Sequence, residues 1–174
     1  MKTSQLTINA MLAAVCAVLG YFALDFFSLK ITLESFPVLL AALMYGPVSG
    51  MAVGGIGTFL YQLLRYGLEA STPLWVAPYL AGGLVAGLYA KRSGFNNSKK
   101  EIFRISMITE LVIFACNTVS LYLYSKIIFG EFRLSFVLGA LLPRLLIALA
   151  KGAVFGGITR PVLVRLSPIT KNGR

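Results

Sequence analysis

Phe36-Pro37-Val38-Leu39-Leu40-Ala41-Ala42-Leu43-Met44-Tyr45-Gly46-Pro47-Val48-Ser49-Gly50 decides the architecture of this chain. The stretch stays apolar to Leu64, so it could be one long kinked helix. Proline lacks a backbone N–H and biases the residue before it away from helix. Gly46-Pro47 therefore reads equally as a tight turn between two spans, at about 36–45 and about 48–64. Outward from this point, further apolar runs lie at about 6–24, 74–89, 105–124 and 134–163. A spanning helix takes about 20 predominantly apolar residues.

Charge decides between five spans and six. Six spans with both termini inside place Lys2, Lys91, Arg92, Lys99, Lys100, Arg104, Arg160, Arg165, Lys171 and Arg174 on the cytoplasmic side, opposed only by Glu101. The outer loops hold Lys30, Arg65, Lys126 and Arg133, balanced by Asp25, Glu34, Glu69 and Glu131. Cytoplasmic loops carry an excess of Lys and Arg. Five spans would put the basic 91–104 loop and the basic C-terminal tail on opposite faces. The reading is an all-α integral membrane protein: residues 1–174 form a single transmembrane domain of six helices with cytoplasmic N- and C-termini. The N-terminal run is too long for a signal core, and Asp25-Phe26-Phe27 makes a poor cleavage site, so it is expected to be a retained helix.

Composition agrees. The chain has 174 residues, 57% hydrophobic and 13% charged. A soluble domain is about a quarter charged. The net charge of +10 follows from basic cytoplasmic loops and needs no nucleic acid. With no histidine, imidazole metal sites, triads and proton relays are excluded. Cys16 and Cys116 alone cannot hold a zinc ion. There is no G-x-x-x-x-G-K-[ST] phosphate loop.

Three ionisable residues remain within the spans: Glu110, Arg144 and Lys151. Such groups normally face a protein interior and a partner. Glu110 and Asn117 are nearly two helical turns apart, as are Arg144 and Lys151, so each pair shares a helix face. Antiparallel neighbours would bring Glu110 level with Lys151, as a structural ion pair. Asn117 would come level with Arg144, lining a pocket. A fixed cation at mid-depth suits a carboxylate or phosphate. Buried packing without a ligand is the alternative for all four.

The outer span ends carry Gln62, Arg65, Tyr66, Trp75, Tyr79, Tyr122 and Tyr124. An interfacial aromatic belt accounts for such residues; so does an outward pocket with aromatic walls and a few polar groups. The Asp25–Ser35 loop is placed to close over such a pocket as a lid.

The first span holds Ala10, Ala13, Ala14 and Ala17, two overlapping Ala-x-x-x-Ala pairs that let another helix approach closely in lipid. Together with the size, the six spans, the lid-like loop and the apolar-Gly-Pro-x-x-Gly turn at Tyr45–Gly50, these alanines give a resemblance over residues 5–165. The chain resembles the substrate-binding S component of an energy-coupling factor (ECF) transporter, a vitamin uptake system. The resemblance implies a multi-pass protein of the bacterial cytoplasmic membrane that binds a water-soluble vitamin or precursor from outside. It implies docking on an ECF transmembrane coupling subunit and two ATPase subunits, with Ala10, Ala13, Ala14 and Ala17 on the docking surface. ATP is then hydrolysed by the partners, and this chain needs no cofactor and catalyses no reaction. The implied substrates are of the cobalamin, pyridoxine or hydroxymethylpyrimidine, pantothenate or folate class, with a leaning to cobalamin or a pyrimidine or pyridine vitamin. Gly57-Thr58-Phe59 and Ser71-Thr72-Pro73-Leu74-Trp75 depart from the pattern of folate-type members. The substrate-binding candidates are Gln62, Arg65, Trp75, Tyr79, Asn117 and Arg144. A free-standing carrier and a membrane-embedded enzyme are the competing readings. An inverted repeat is not visible for the first, and paired acids or a metal cluster are missing for the second.

Overall fold

A computed structural model describes residues 3–26, 29–95, 98–129 and 141–171. Its elements are α1 (Thr3–Tyr21), β1 (Leu24–Phe26), β2 (Leu29–Ile31), α2 (Ser35–Tyr45), α3 (Pro47–Tyr66), α4 (Thr72–Arg92), α5 (Lys99–Phe129) and α6 (Leu141–Lys171). The expected helical residues 134–140, and the charges of Lys2, Glu131, Arg133 and Arg174, lie outside the described residues. α4 and α5 run several residues beyond the apolar stretches that announced them, since charged residues continue a helix into the solvated interface. α1 ends earlier than expected because the chain turns into a strand at Leu24.

Four described helices are long and apolar enough to cross a membrane: α1, α4, α5 over Lys99–Ile127 and α6 over Leu141–Leu166. Many large apolar side chains point outward, among them Met11, Val18, Leu146 and Val164, as lipid-facing surfaces require. α3, with 20 residues, is also long enough, but its glycines and polar residues lower its hydropathy.

α2 is different. It has 11 residues, or about 16 Å, half the hydrocarbon thickness. Nine of its residues are buried, from Ser35 to Met44. A helix that is apolar all round belongs inside a bundle, and α2 touches each of the other five helices. Leu39, Leu40, Leu43 and Met44 form the main core with Ala86, Ile102, Ile105 and Phe155. The β1–β2 hairpin and the Thr32–Glu34 segment lead directly into this short buried helix.

The hairpin is antiparallel, with Leu24 opposite Ile31, Asp25 opposite Lys30 and Phe26 opposite Leu29. It is the one departure from an all-helical architecture among the described residues. The alternation in Leu24-Asp25-Phe26 and Leu29-Lys30-Ile31 is the period of a strand, and was the signal available for it.

Gly46 has φ 89° and ψ −166°, a region open essentially to glycine alone. With Pro47 pre-set for the first turn of α3, it reverses the chain between α2 and α3. α3 then packs on α4 backbone to backbone. A Cβ at Gly50 would sit 2.6 Å from the Gly83 carbonyl oxygen, and one at Gly54 would sit 2.6 Å from that of Tyr79. Close helix approach through small residues is how packing is gained where lipid removes the hydrophobic drive. α5 and α6 form the second tight pair, and α4 joins the two halves.

Candidate functional site

The hairpin end and the opposite, basic end carry different chemistry. Under the hairpin, Glu34 is 1% exposed. Its Oε1 accepts hydrogen bonds from Thr32 Oγ1 at 2.9 Å and from the Tyr79 hydroxyl. The Glu34 carbonyl accepts a bond from Cys16 Sγ at 3.3 Å, which ties the segment to α1. A buried carboxylate is tolerated only with such donors.

Neighbouring helices complete the cluster. Gly20 of α1 leaves a gap in which a Cβ would meet Glu34 Oε2 and the Tyr61 ring, each at 2.7 Å. Gln62 Nε2 donates to Tyr61 Oη at 2.7 Å. Tyr61, Gln62 and Tyr79 are all buried. Arg144, in the first turn of α6, is within electrostatic reach of Tyr79, and β2 of the hairpin packs on α6. The salt bridges of the described residues leave Arg144 without a carboxylate. α1, the Thr32–Glu34 segment, α3 and α4 therefore converge on one polar cluster, with Arg144 of α6 in electrostatic reach of it.

The sequence-derived candidates separate on this map. Gln62 and Tyr79 belong to the cluster, and Arg144 borders it. Trp75 stacks on Tyr124 at 5.5 Å between rings, so it lies in the α4–α5 seam. Ser120 Oγ donates to the Leu74 carbonyl at 2.6 Å in the same seam. Arg65 donates to the Tyr21 carbonyl at 3.2 Å and lies over the Tyr66 ring at 5.5 Å, closing the rim between α1 and α3. Asn117 is half-buried and forms no hydrogen bond to Arg144, in contrast to the expected contact. The matching pair one level away does form: Lys151 Nζ lies 3.0 Å from Glu110 Oε2, with side chains 13% and 4% exposed.

Glu34 and Thr32 were missed as site residues. Glu34 counts as an outer-loop acid when charges alone are tallied. Its place between Leu33 and Phe36-Pro37, at the start of an apolar run, was the available sign that it enters the protein interior.

The four alanines of α1 also divide. Ala10 and Ala14 are exposed, whereas Ala13 and Ala17 are buried at 4% and 7%. α1 packs on α2 and α3, and a Cβ at Gly57 of α3 would lie 2.9 Å from the Ala13 carbonyl oxygen. Of the four alanines expected on the docking surface, Ala13 and Ala17 pack within the chain, while Ala10 and Ala14 are exposed. Buried Asn9 adds to the same α1–α3 interface, donating to Ser49 Oγ at 2.9 Å.

Among the described residues, no cluster of three or more His, Cys, Asp or Glu could hold a metal ion.

Four long apolar helices packed with a short, almost fully buried one define a membrane-embedded helical bundle. The model of the family described as ECF transporter, substrate-specific component, matches residues 4–166. The chain belongs to that family. It is accordingly a membrane-embedded substrate-specific component of a transporter, and not an enzyme. Two solved structures are similar to it. One is the S component for biotin from an ECF-type ABC transporter, at TM-score 0.66 and 17% identity, covering 93% of this chain and 94% of that one. The other is the S component of a bacterial ECF transporter, at TM-score 0.66 and 20% identity, covering 98% of this chain and 99% of that one. A comparison with curated proteins finds no match.

Proposed function

We propose that this chain captures a water-soluble vitamin or vitamin precursor at its hairpin end, facing outward, and presents it to an ECF transmembrane coupling subunit with two ATPase subunits. The observation that carries the binding site is the buried Glu34 with Thr32 and Tyr79, with Arg144 in electrostatic reach of Tyr79, in the segment that follows the hairpin. Glu34 asks for a ligand that brings N–H or O–H donors, because a carboxylate only accepts. Arg144 asks for a carboxylate or phosphate. Pantothenate and folate bring both kinds of group, and so does biotin, the ligand of one structural neighbour. Cobalamin brings amides and a phosphate. Pyridoxine and hydroxymethylpyrimidine bring donors without an anionic group.

Gln62 supplies a further amide, and Arg65, Trp75 and Asn117 serve as outer contacts. Ala10 and Ala14 form the docking face for the coupling subunit. The energy comes from ATP hydrolysed by the partners, so the chain needs no cofactor of its own. The excess of Lys and Arg at the other end supports a reading in which that end, with both termini, faces the cytoplasm of a bacterial cell.

Mass spectrometry of small molecules released from the purified protein names the ligand. Calorimetry with that ligand then tests the site: Glu34→Gln and Arg144→Ala are each expected to weaken binding at least about tenfold, the loss of a charge-assisted hydrogen bond. Unchanged affinity in both variants, with the fold retained, overturns the site. Purification without any coupling subunit or ATPase from the native membrane overturns the partnership.

A further inference from the structure

At the basic end a cleft of about 1220 Å³ opens between the first turns of α5 and the later turns of α6. Lys99, Lys100, Arg104, Arg160 and Arg165 line it. The one acid near it, Glu101, is engaged by Arg104 at 3.1 Å. Four cations therefore converge without a carboxylate among the described residues. The remaining lining is apolar or bare: Phe103, Val164, Pro161, Gly156 and Gly157. Phe103 lies over Gly156, where a Cβ would sit 2.6 Å from its ring, while a Cβ at Gly157 would meet nothing within 4 Å. The glycines thus make the notch.

Below the cations the α6 surface stays apolar and open. Val154, Ile158 and Val164 are 56%, 42% and 60% exposed. Residues 154 and 158 are one turn apart and lead toward the cleft at Pro161 and Arg165. Anionic lipid headgroups bind in basic pockets between spanning helices. The amino-terminal end of a long helix, here α5, adds a favourable dipole.

We infer that this cleft holds the phosphate headgroup of an anionic phospholipid from the leaflet at the basic end, with its acyl chains along the apolar α5–α6 face. A protein partner fits less well. α1, with its open Ala10 and Ala14, makes no contact with α5 or α6 among the described residues. The cleft therefore lies on a different side of the bundle, where lipid remains when a subunit docks on α1. The choice of lipid over a protein partner rests on the proposed docking through α1, and the readout is independent of vitamin binding.

Native mass spectrometry of the full chain, exchanged into mixed micelles with equal phosphatidylglycerol and phosphatidylcholine, tests it. The wild type should retain phosphatidylglycerol preferentially. The triple variant Lys100→Gln, Arg160→Gln, Arg165→Gln should lose this preference by at least about tenfold. The control Lys91→Gln, Arg92→Gln removes basic side chains outside the cleft and should keep it. If the triple variant does not fold, Gly157→Leu fills the notch at an open position and should release the lipid in its place. Equal retention of the two lipids overturns the inference, and so does a control that falls as far as the triple variant. Displacement of phosphatidylglycerol by millimolar inorganic phosphate makes the cleft a soluble-anion site and overturns it. Displacement by an added coupling subunit makes it a protein interface and does the same.

Discussion

Gly20, Glu34 and Tyr61 share one small volume, and the first has no side chain because the other two occupy its space. Overpacking in such a place costs about 1–3 kcal/mol. Gly20→Ala should displace the carboxylate or the ring, and ligand affinity measured by calorimetry should fall about tenfold. Gly157→Ala, inside α6 at a position with no neighbour within 4 Å, should leave affinity unchanged and hold or slightly raise the melting temperature, because alanine suits a helix interior better than glycine. The Glu110–Lys151 pair makes a separate residue-scale prediction. Removing one partner leaves a buried charge, worth about 3–5 kcal/mol. Glu110→Gln and Lys151→Met should each lower the melting temperature clearly, and the double variant should recover most of the loss. Vitamin affinity of the double variant should match the wild type, because the pair belongs to α5–α6 packing and has no bond to the Glu34 cluster.

At the scale of elements, the Gly46-Pro47 reversal and the two faces of α1 matter most. Gly46→Ala puts a Cβ on a backbone conformation that costs about 1–3 kcal/mol for other residues. It should lower the melting temperature without touching the ligand contacts. On α1, Ala10→Leu with Ala14→Leu should abolish co-purification of the coupling subunit while leaving vitamin binding intact. Ala13→Leu should instead destabilise the protein itself, because that side chain is buried against α3. Helices were legible from sequence because apolar runs, prolines and charges mark them directly. The seven-residue spacing also gave the Glu110–Lys151 pair. Burial of one alanine pair but not the other was hidden, since Ala10 and Ala13 look alike until α3 is placed beside them. The hairpin was hidden as well: its strands span three residues each, too short for a periodicity to outweigh a loop reading.

For the whole molecule, the proposed orientation rests on the uneven charge. In a variant with Cys16 and Cys116 replaced by alanine, Ala70→Cys should react with a membrane-impermeant maleimide in intact cells. Lys91→Cys should react only after permeabilisation; the reverse pattern overturns the orientation. The site was less legible than the fold because it is assembled by five separate segments. Whether Glu34 lies in water or in the interior depends on where Tyr79 and Gly20 end up, which no local pattern records. That burial also sets a clock. With 1% of its surface exposed, Glu34 cannot be touched from solution in this conformation. A ligand of the proposed kind has to wait for this cover to open before it reaches the carboxylate, and binding that requires a conformational change is expected to be slower than a direct encounter. The same wait applies to escape, and a gated ligand stays bound long enough for a slow membrane partner to find the complex.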